Sequence, residues 1–247
     1  MNSLRGHVAL VTGGTRGIGE AIALRLAAAG ADVGIVGLTS GGETVAEKIR
    51  SRGSRAAGVK GDVADASDVD RMFREVGGKL GPIDILVNNA AIADFHYESA
   101  WELSEETWDR MCDVNLKGVF LCCREAIPPM LRKGWGRIVN VSSTSGITGG
   151  TSGVHYAASK GGVIALSKAL ASELAPRGIT VNVVAPSKID TDMFRRVNPG
   201  EKRENAIRKI PVGRLGTPGE IAEAVAYFAG ETAGYTTGQV LVLSGGY

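Results

Sequence analysis

Residues 7–30 read HVALVTGGTRGIGEAIALRLAAAG, and the fold of the chain is decided there. An apolar run, HVALV, passes through a glycine-rich turn into a helical pattern. Ile18, Ile22, Leu26 and Ala29 recur on one helical face, and Gly30 ends it. The turn, Gly13-Gly14-Thr15-Arg16-Gly17-Ile18-Gly19, has GxxxGxG spacing and not GxGxxG. Its glycines let the backbone turn tightly and approach a pyrophosphate, while the helix start presents free N–H groups and positive potential. The GK(S/T) ending of a triphosphate-binding loop is missing, which argues against a nucleotide triphosphatase.

Working outward, strand-like runs near 7–12, 32–37, 55–60, 83–88, 136–142, 179–184 and 238–243 alternate with helical patterns near 17–29, 42–52, 66–79, 104–131, 154–176 and 218–229. This alternation predicts an α/β fold: a single doubly wound parallel sheet of about seven strands with helices on both faces. ILVNN and TVNVVA are apolar throughout, as expected of strands covered on both faces. With 247 residues, 44% hydrophobic content and no polar linker, the chain reads as one domain, 1–247, with an insertion at about 187–216.

The net charge of +2 is spread without a basic block, so nucleic acid is not expected as a partner. No apolar run approaches ~18 residues, so no membrane association is expected, and the expected location is cytoplasmic. Cys112, Cys122 and Cys123 lack paired metal-ligand spacing and are read as reduced; no metal is expected.

A second stretch, NVSSTSGITGGTSGVHYAASK at 140–160, carries chemistry. Tyr156 and Lys160 are four residues apart, on one face of a helix. A nearby ammonium favours a phenolate and lowers the phenol pKa from its usual ~10. Ser143 is placed to donate a hydrogen bond to the same substrate oxygen.

Together with NNAA at 88–91, the glycine turn and this stretch resemble the short-chain dehydrogenase/reductase family over essentially the whole chain. The resemblance implies a Rossmann-like NAD(P)-binding catalytic domain that interconverts a carbonyl and a secondary alcohol. It assigns Tyr156 as acid/base, Ser143 to orient the carbonyl, Lys160 to hold the nicotinamide ribose and lower the tyrosine pKa, and Asn115 to support a proton-relay water. Cofactor contacts are implied at Gly13, Thr15, Arg16, Gly17, Ile18, Gly19, Leu38, Asp62, Val63, Asn89, Ala90, Tyr156, Lys160, Pro186, Ile189 and Thr191. Ala91, Ser187 and Ser244 depart from the family pattern, and none of them touches the catalytic set.

Cofactor choice hangs on the end of the second strand, where an acidic residue would accept ribose hydroxyls and repel a 2′-phosphate. The chain has Gly37-Leu38-Thr39-Ser40 there, Asp32 lies at the wrong end, and Arg16 is available to a 2′-phosphate, which favours NADP(H) with NAD(H) possible. Among relatives the likeness is greatest to reductases of 3-oxoacyl groups on acyl carrier protein. Sugar, polyol and keto-acid dehydrogenases are the alternative, with His155, Thr148 and Thr151 available to a polar substrate; a non-catalytic dinucleotide sensor is the remote one. The substrate is therefore a small-molecule or acyl-carrier-linked carbonyl, with Arg137 and Arg177 as candidate docking arginines. The family also implies a homotetramer, to which Val119, Phe120, Leu121, Val163 and Leu166 are expected to contribute.

Overall fold

A computed structural model describes residues 3–39, 41–93, 99–150 and 152–247. Ser40 and Thr151 therefore lie outside the described residues. Seven parallel strands form one sheet: β1 (Val8–Thr12), β2 (Asp32–Gly37), β3 (Ala56–Lys60), β4 (Ile85–Asn88), β5 (Gly136–Val141), β6 (Ile179–Pro186) and β7 (Val240–Leu243). Their spatial order is β3-β2-β1-β4-β5-β6-β7. The order reverses between β1 and β4, and a crevice opens at such a switch point beyond the carboxyl ends of the strands.

The helices are α1 (Gly17–Ala28), α2 (Gly41–Arg50), α3 (Ala66–Leu80), α4 (Glu105–Cys112), α5 (Gly118–Lys133), α6 (Ser145–Thr148), α7 (Val154–Leu174), α8 (Asp192–Val197), α9 (Glu201–Arg208) and α10 (Pro218–Ala229). One apolar layer, including Ile22, Leu26, Val33, Ile35 and Val225, joins α1, α2 and α10 to one face of the sheet. The other, including Leu10, Met72, Leu86, Ile138 and Val163, lies beneath α3, α5 and α7. Strands β1, β4, β5 and β6 are buried at every residue, which is why their sequences do not alternate.

The structure modifies four expectations. The helix read over 104–131 is α4 and α5 joined by a π-helical turn, Asp113–Lys117, and Asn115 sits inside that turn. Periodicity does not register a single inserted residue, yet such bulges concentrate at functional sites. The insertion contains two short helices, α8 and α9. Val119, Leu121 and Val163, expected to face a partner subunit, are 4%, 4% and 0% exposed and belong to this chain's own core; Phe120 is exposed. Arg137, expected as a docking cation, is buried within β5. Its guanidinium lies 4.3 Å from the Trp135 ring centroid and donates to the carbonyls of Gly136 and Gly230, so a carrier protein has no access to it.

Candidate active site

The glycine turn is held from behind by β4. Thr12 Oγ1 accepts from the backbone N–H groups of Asn89 and Ala90, each at 3.1 Å, and Asn89 Nδ2 donates to the carbonyls of Thr12 and Gly13. A Cβ on Gly19 would stand 2.2 Å from the Gly13 carbonyl oxygen, and one on Gly13 would stand 2.8 Å from Ala90 Cα. Only glycine fits at these two positions. Arg16 is the N-cap of α1 and makes no side-chain capping bond, so the first N–H groups of the helix remain available to an anion. These features fit the pyrophosphate of a dinucleotide.

Along the rest of the crevice, Leu38 is exposed at the end of β2. Asp62 Oδ1 accepts from Ala64 N, and its other oxygen lies 3.6 Å from Arg110 of α4. The side chain of Val63 is buried against Gly118, at the start of α5. Asn89 likewise commits its amide to the turn. Pro186 ends β6, Ile189 is buried, and Thr191 caps α8 by accepting from Phe194 N at 3.2 Å. A Cβ on Gly17 would be 3.6 Å from Thr191 Cγ2, so the insertion at 187–216 reaches back across the crevice to the glycine turn.

The catalytic candidates converge where β5 meets α7. Ser142 Oγ donates to the Lys160 carbonyl at 2.8 Å, and Lys160 Nζ donates to the Val141 carbonyl at 3.0 Å, pinning the end of the strand to the first turns of the helix. Lys160 is buried, and its Nζ lies 5.8 Å from the centroid of the Tyr156 ring. Ser143 Oγ accepts from Ser145 N at 3.1 Å, which leaves its hydroxyl hydrogen free of that backbone, and Ser143 is near enough to the Tyr156 phenol to pull its pKa down.

Asn115 is fully buried beneath these groups. Its Oδ1 accepts from Ile92 N at 2.8 Å, and its Nδ2 donates to Ile92 O at 2.9 Å and lies 3.3 Å from Ser159 Oγ. Ser159 Oγ in turn donates to the Tyr156 carbonyl at 2.8 Å. The amide thus clasps the segment after β4 to α7, a structural use of Asn115 beyond the water-supporting role that the resemblance implies.

Electrostatics refine the expectation that Lys160 lowers the tyrosine pKa. Burial pushes the Tyr156 phenol up, with the Ser143 hydrogen bond pulling the other way, and burial brings Lys160 down to about 8. Neither charged form is well solvated, so the site favours a protonated phenol, the form needed to donate a proton.

His155 is buried with both ring nitrogens unpartnered, so it does not offer itself to a substrate in the crevice; Thr148 is exposed on α6 and bonds back to Thr144 O. Thr12, Ser142 and Ser159 escaped the sequence reading as supports, because hydroxyls of this kind carry no signal until their partners are known. Among the described residues no cluster of His, Cys, Asp and Glu is placed to hold a metal, and no helix is long and apolar enough to cross a membrane.

Comparison with known proteins places this site in context. A family model described as enoyl-(acyl carrier protein) reductase matches residues 13–247. The 3-oxoacyl-(acyl-carrier-protein) reductase of Staphylococcus aureus strain N315 is 43% identical over 240 residues, 96% of each chain. That of Aquifex aeolicus strain VF5 is 43% identical over 246 residues, 98% of each chain. That of Escherichia coli strain K12 is 39% identical over 245 residues, 99% of this chain and 98% of the other. The model's description and the relatives' names differ in the acyl group acted on; the near-full-length identities carry the greater weight.

Proposed function

This chain belongs to the short-chain dehydrogenase/reductase family, a family of NAD(P)H-linked oxidoreductases, and we propose that it reduces 3-oxoacyl thioesters with NADPH. The observation that carries the reading is the convergence of Ser143, Tyr156 and Lys160 beside a glycine turn whose helix start is uncapped. When bound, the dinucleotide supplies the hydride. The protein's part is alignment, proton delivery and charge stabilisation. Ser143 holds the substrate oxygen with its outward hydrogen, Tyr156 gives that oxygen its proton, and the buried ammonium of Lys160 steadies the phenolate left behind. Asn115, through Ser159, keeps the catalytic helix in register.

NADPH is favoured because β2 ends in Gly37, Leu38 and Thr39 with no carboxylate, while Arg16 at the glycine turn is available to a 2′-phosphate. A carrier-linked substrate is favoured by the charge of the substrate loop. Residues 187–216 hold eight lysines and arginines against four acidic residues, although the whole chain is only +2. Arg196, Lys202 and Lys209 are exposed and, among the described residues, enter no ion pair. Lys202 on α9 and Lys209, the residue that caps its C-terminus, are seven positions apart and so lie on one side of the helix. An acidic carrier would meet them at the edge where the site opens, whereas Arg177, ahead of β6, lies at the opposite edge.

Association into a homotetramer is part of the same reading. It is supported by Phe120 on α5 and by the edge strand β7, where Leu241 and Val242, on opposite faces of the strand, are 39% and 43% exposed. Mixing the purified protein with NADPH and a 3-oxoacyl thioester, against a panel of keto acids and sugars, tests the substrate class.

A further inference from the structure

Lys188 stands directly after the Pro186-Ser187 end of β6, where the substrate loop begins. Its Nζ lies 3.3 Å from the ring centroid of Tyr247, four residues beyond the end of β7. Residues 245–247 also hold the other end of the loop. Val212 N donates to the Gly245 carbonyl at 3.2 Å, and a Cβ on Gly245, whose φ is +65°, would stand 2.6 Å from Val212 Cγ2. The two ends are joined by a parallel bridge between Ile189 and Gly216, with bonds of 3.0 Å from Gly216 N to Lys188 O and 2.8 Å from Asp190 N to Gly216 O.

This matters because the body of the loop has little else to hold it. Neither α8 nor α9 has a buried residue. The loop is positioned by its two ends, and the first of them runs through Ile189 to Thr191, which rests against the glycine turn. A cavity of about 330 Å³, lined in part by Lys188, Val212, Arg214, Glu220 and Ser244, lies behind the junction, so the Lys188 side chain has room to leave Tyr247 if the ring is removed.

We propose that Tyr247 is a positioning residue for the substrate loop: its ring holds Lys188 and so fixes the Ile189–Thr191 limb against the glycine turn, making dinucleotide affinity depend on a contact outside the crevice. The effect on affinity rests on the function proposed above; the effect on the loop does not. An exposed cation–π contact is worth about 0.5–1 kcal/mol, or roughly a 2- to 5-fold change in an equilibrium.

The test compares wild type, Tyr247→Ala, Tyr247→Phe, Lys188→Met and the Lys188→Met/Tyr247→Ala double variant. Two quantities are read: the rate of tryptic cleavage between residues 195 and 209 in ligand-free protein, and KM and kcat for NADPH. Tyr247→Ala and Lys188→Met should each speed cleavage and raise KM about 2- to 5-fold with kcat nearly unchanged; the double variant should be no worse than either, and Tyr247→Phe should match wild type. Unchanged cleavage in Tyr247→Ala, multiplying effects in the double variant, or a Phe variant as impaired as the Ala variant would overturn the proposal. The expected cleavage pattern in a protein that turns over no dinucleotide would support the clamp while refuting the reductase reading.

Discussion

Lys160 holds its Nζ 5.8 Å from the centroid of the Tyr156 ring and 3.0 Å from the Val141 carbonyl, so the cation next to the proposed proton donor is itself buried against a strand end. The two groups are displaced in opposite directions by the same cause: burial raises the phenol and brings the lysine down to about 8. With rising pH the lysine therefore loses its proton first. Below about 8 the ammonium is present to stabilise the phenolate left after proton transfer; above it the site is neutral and that stabilisation is gone. The kcat/KM for carbonyl reduction, which reports free-enzyme groups, should fall as pH rises through about 8. A profile flat to pH ~10, the ordinary range of a phenol, would mean that Lys160 does not govern the rate.

Cofactor preference should follow Arg16. Arg16→Ala should weaken NADPH binding more than NADH binding, because the proposed charge-assisted contact exists only with the 2′-phosphate. Fluorescence titration of both reduced dinucleotides checks it; equal losses would remove Arg16 from cofactor selection, and a wild-type preference for NADH would favour a sugar or polyol substrate.

Charge reversal on the substrate loop separates the substrate classes. Replacing Arg196, Lys202 and Lys209 together by Glu should raise KM for a carrier-linked 3-oxoacyl substrate about 3- to 10-fold, given a few tenths of a kcal/mol for each exposed charge. A small 3-oxo ester should be nearly unaffected, and added salt should reproduce part of the change in wild type. Equal effects on both substrates would argue against an acidic carrier at this edge.

Asn115 is expected to matter for folding as well as for rate. Truncation to Ala strips partners from both the N–H and the C=O of Ile92 in a part-buried setting, at about 1 kcal/mol for each group left unsatisfied, the low end for such groups. Urea unfolding of Asn115→Ala should show a midpoint well below wild type; an unchanged midpoint would show that the clasp contributes nothing to stability.

Much of this was legible in the sequence because the relevant signals are local and periodic. The strand, turn and helix at 7–30 needed only apolar runs and glycine spacing, and the Tyr156–Lys160 pair needed only the pitch of a helix. The π-helical turn at Asn115 was hidden because one extra residue leaves the apolar pattern of its neighbours nearly intact. Arg137 was misread because a cation just before an apolar run looks exposed until Trp135 and the Gly230 carbonyl are found around it. The inward turn of Val119 and Val163 likewise depended on where the sheet lies, which helix composition does not reveal. Lys188 and Tyr247 are 59 positions apart, and nothing local to either announces the contact.

The most direct measurement is NADPH oxidation by the purified protein with a 3-oxoacyl thioester as acceptor, followed for wild type and Tyr156→Phe alongside a dinucleotide-binding titration of both. Wild type should turn over, and the Phe variant, which keeps the ring and loses only the proton donor, should fall at least ~100-fold in kcat while still binding NADPH. Turnover by the variant at near wild-type rate, or a wild type that binds NADPH and reduces no 3-oxoacyl thioester, would contradict the assignment of this site.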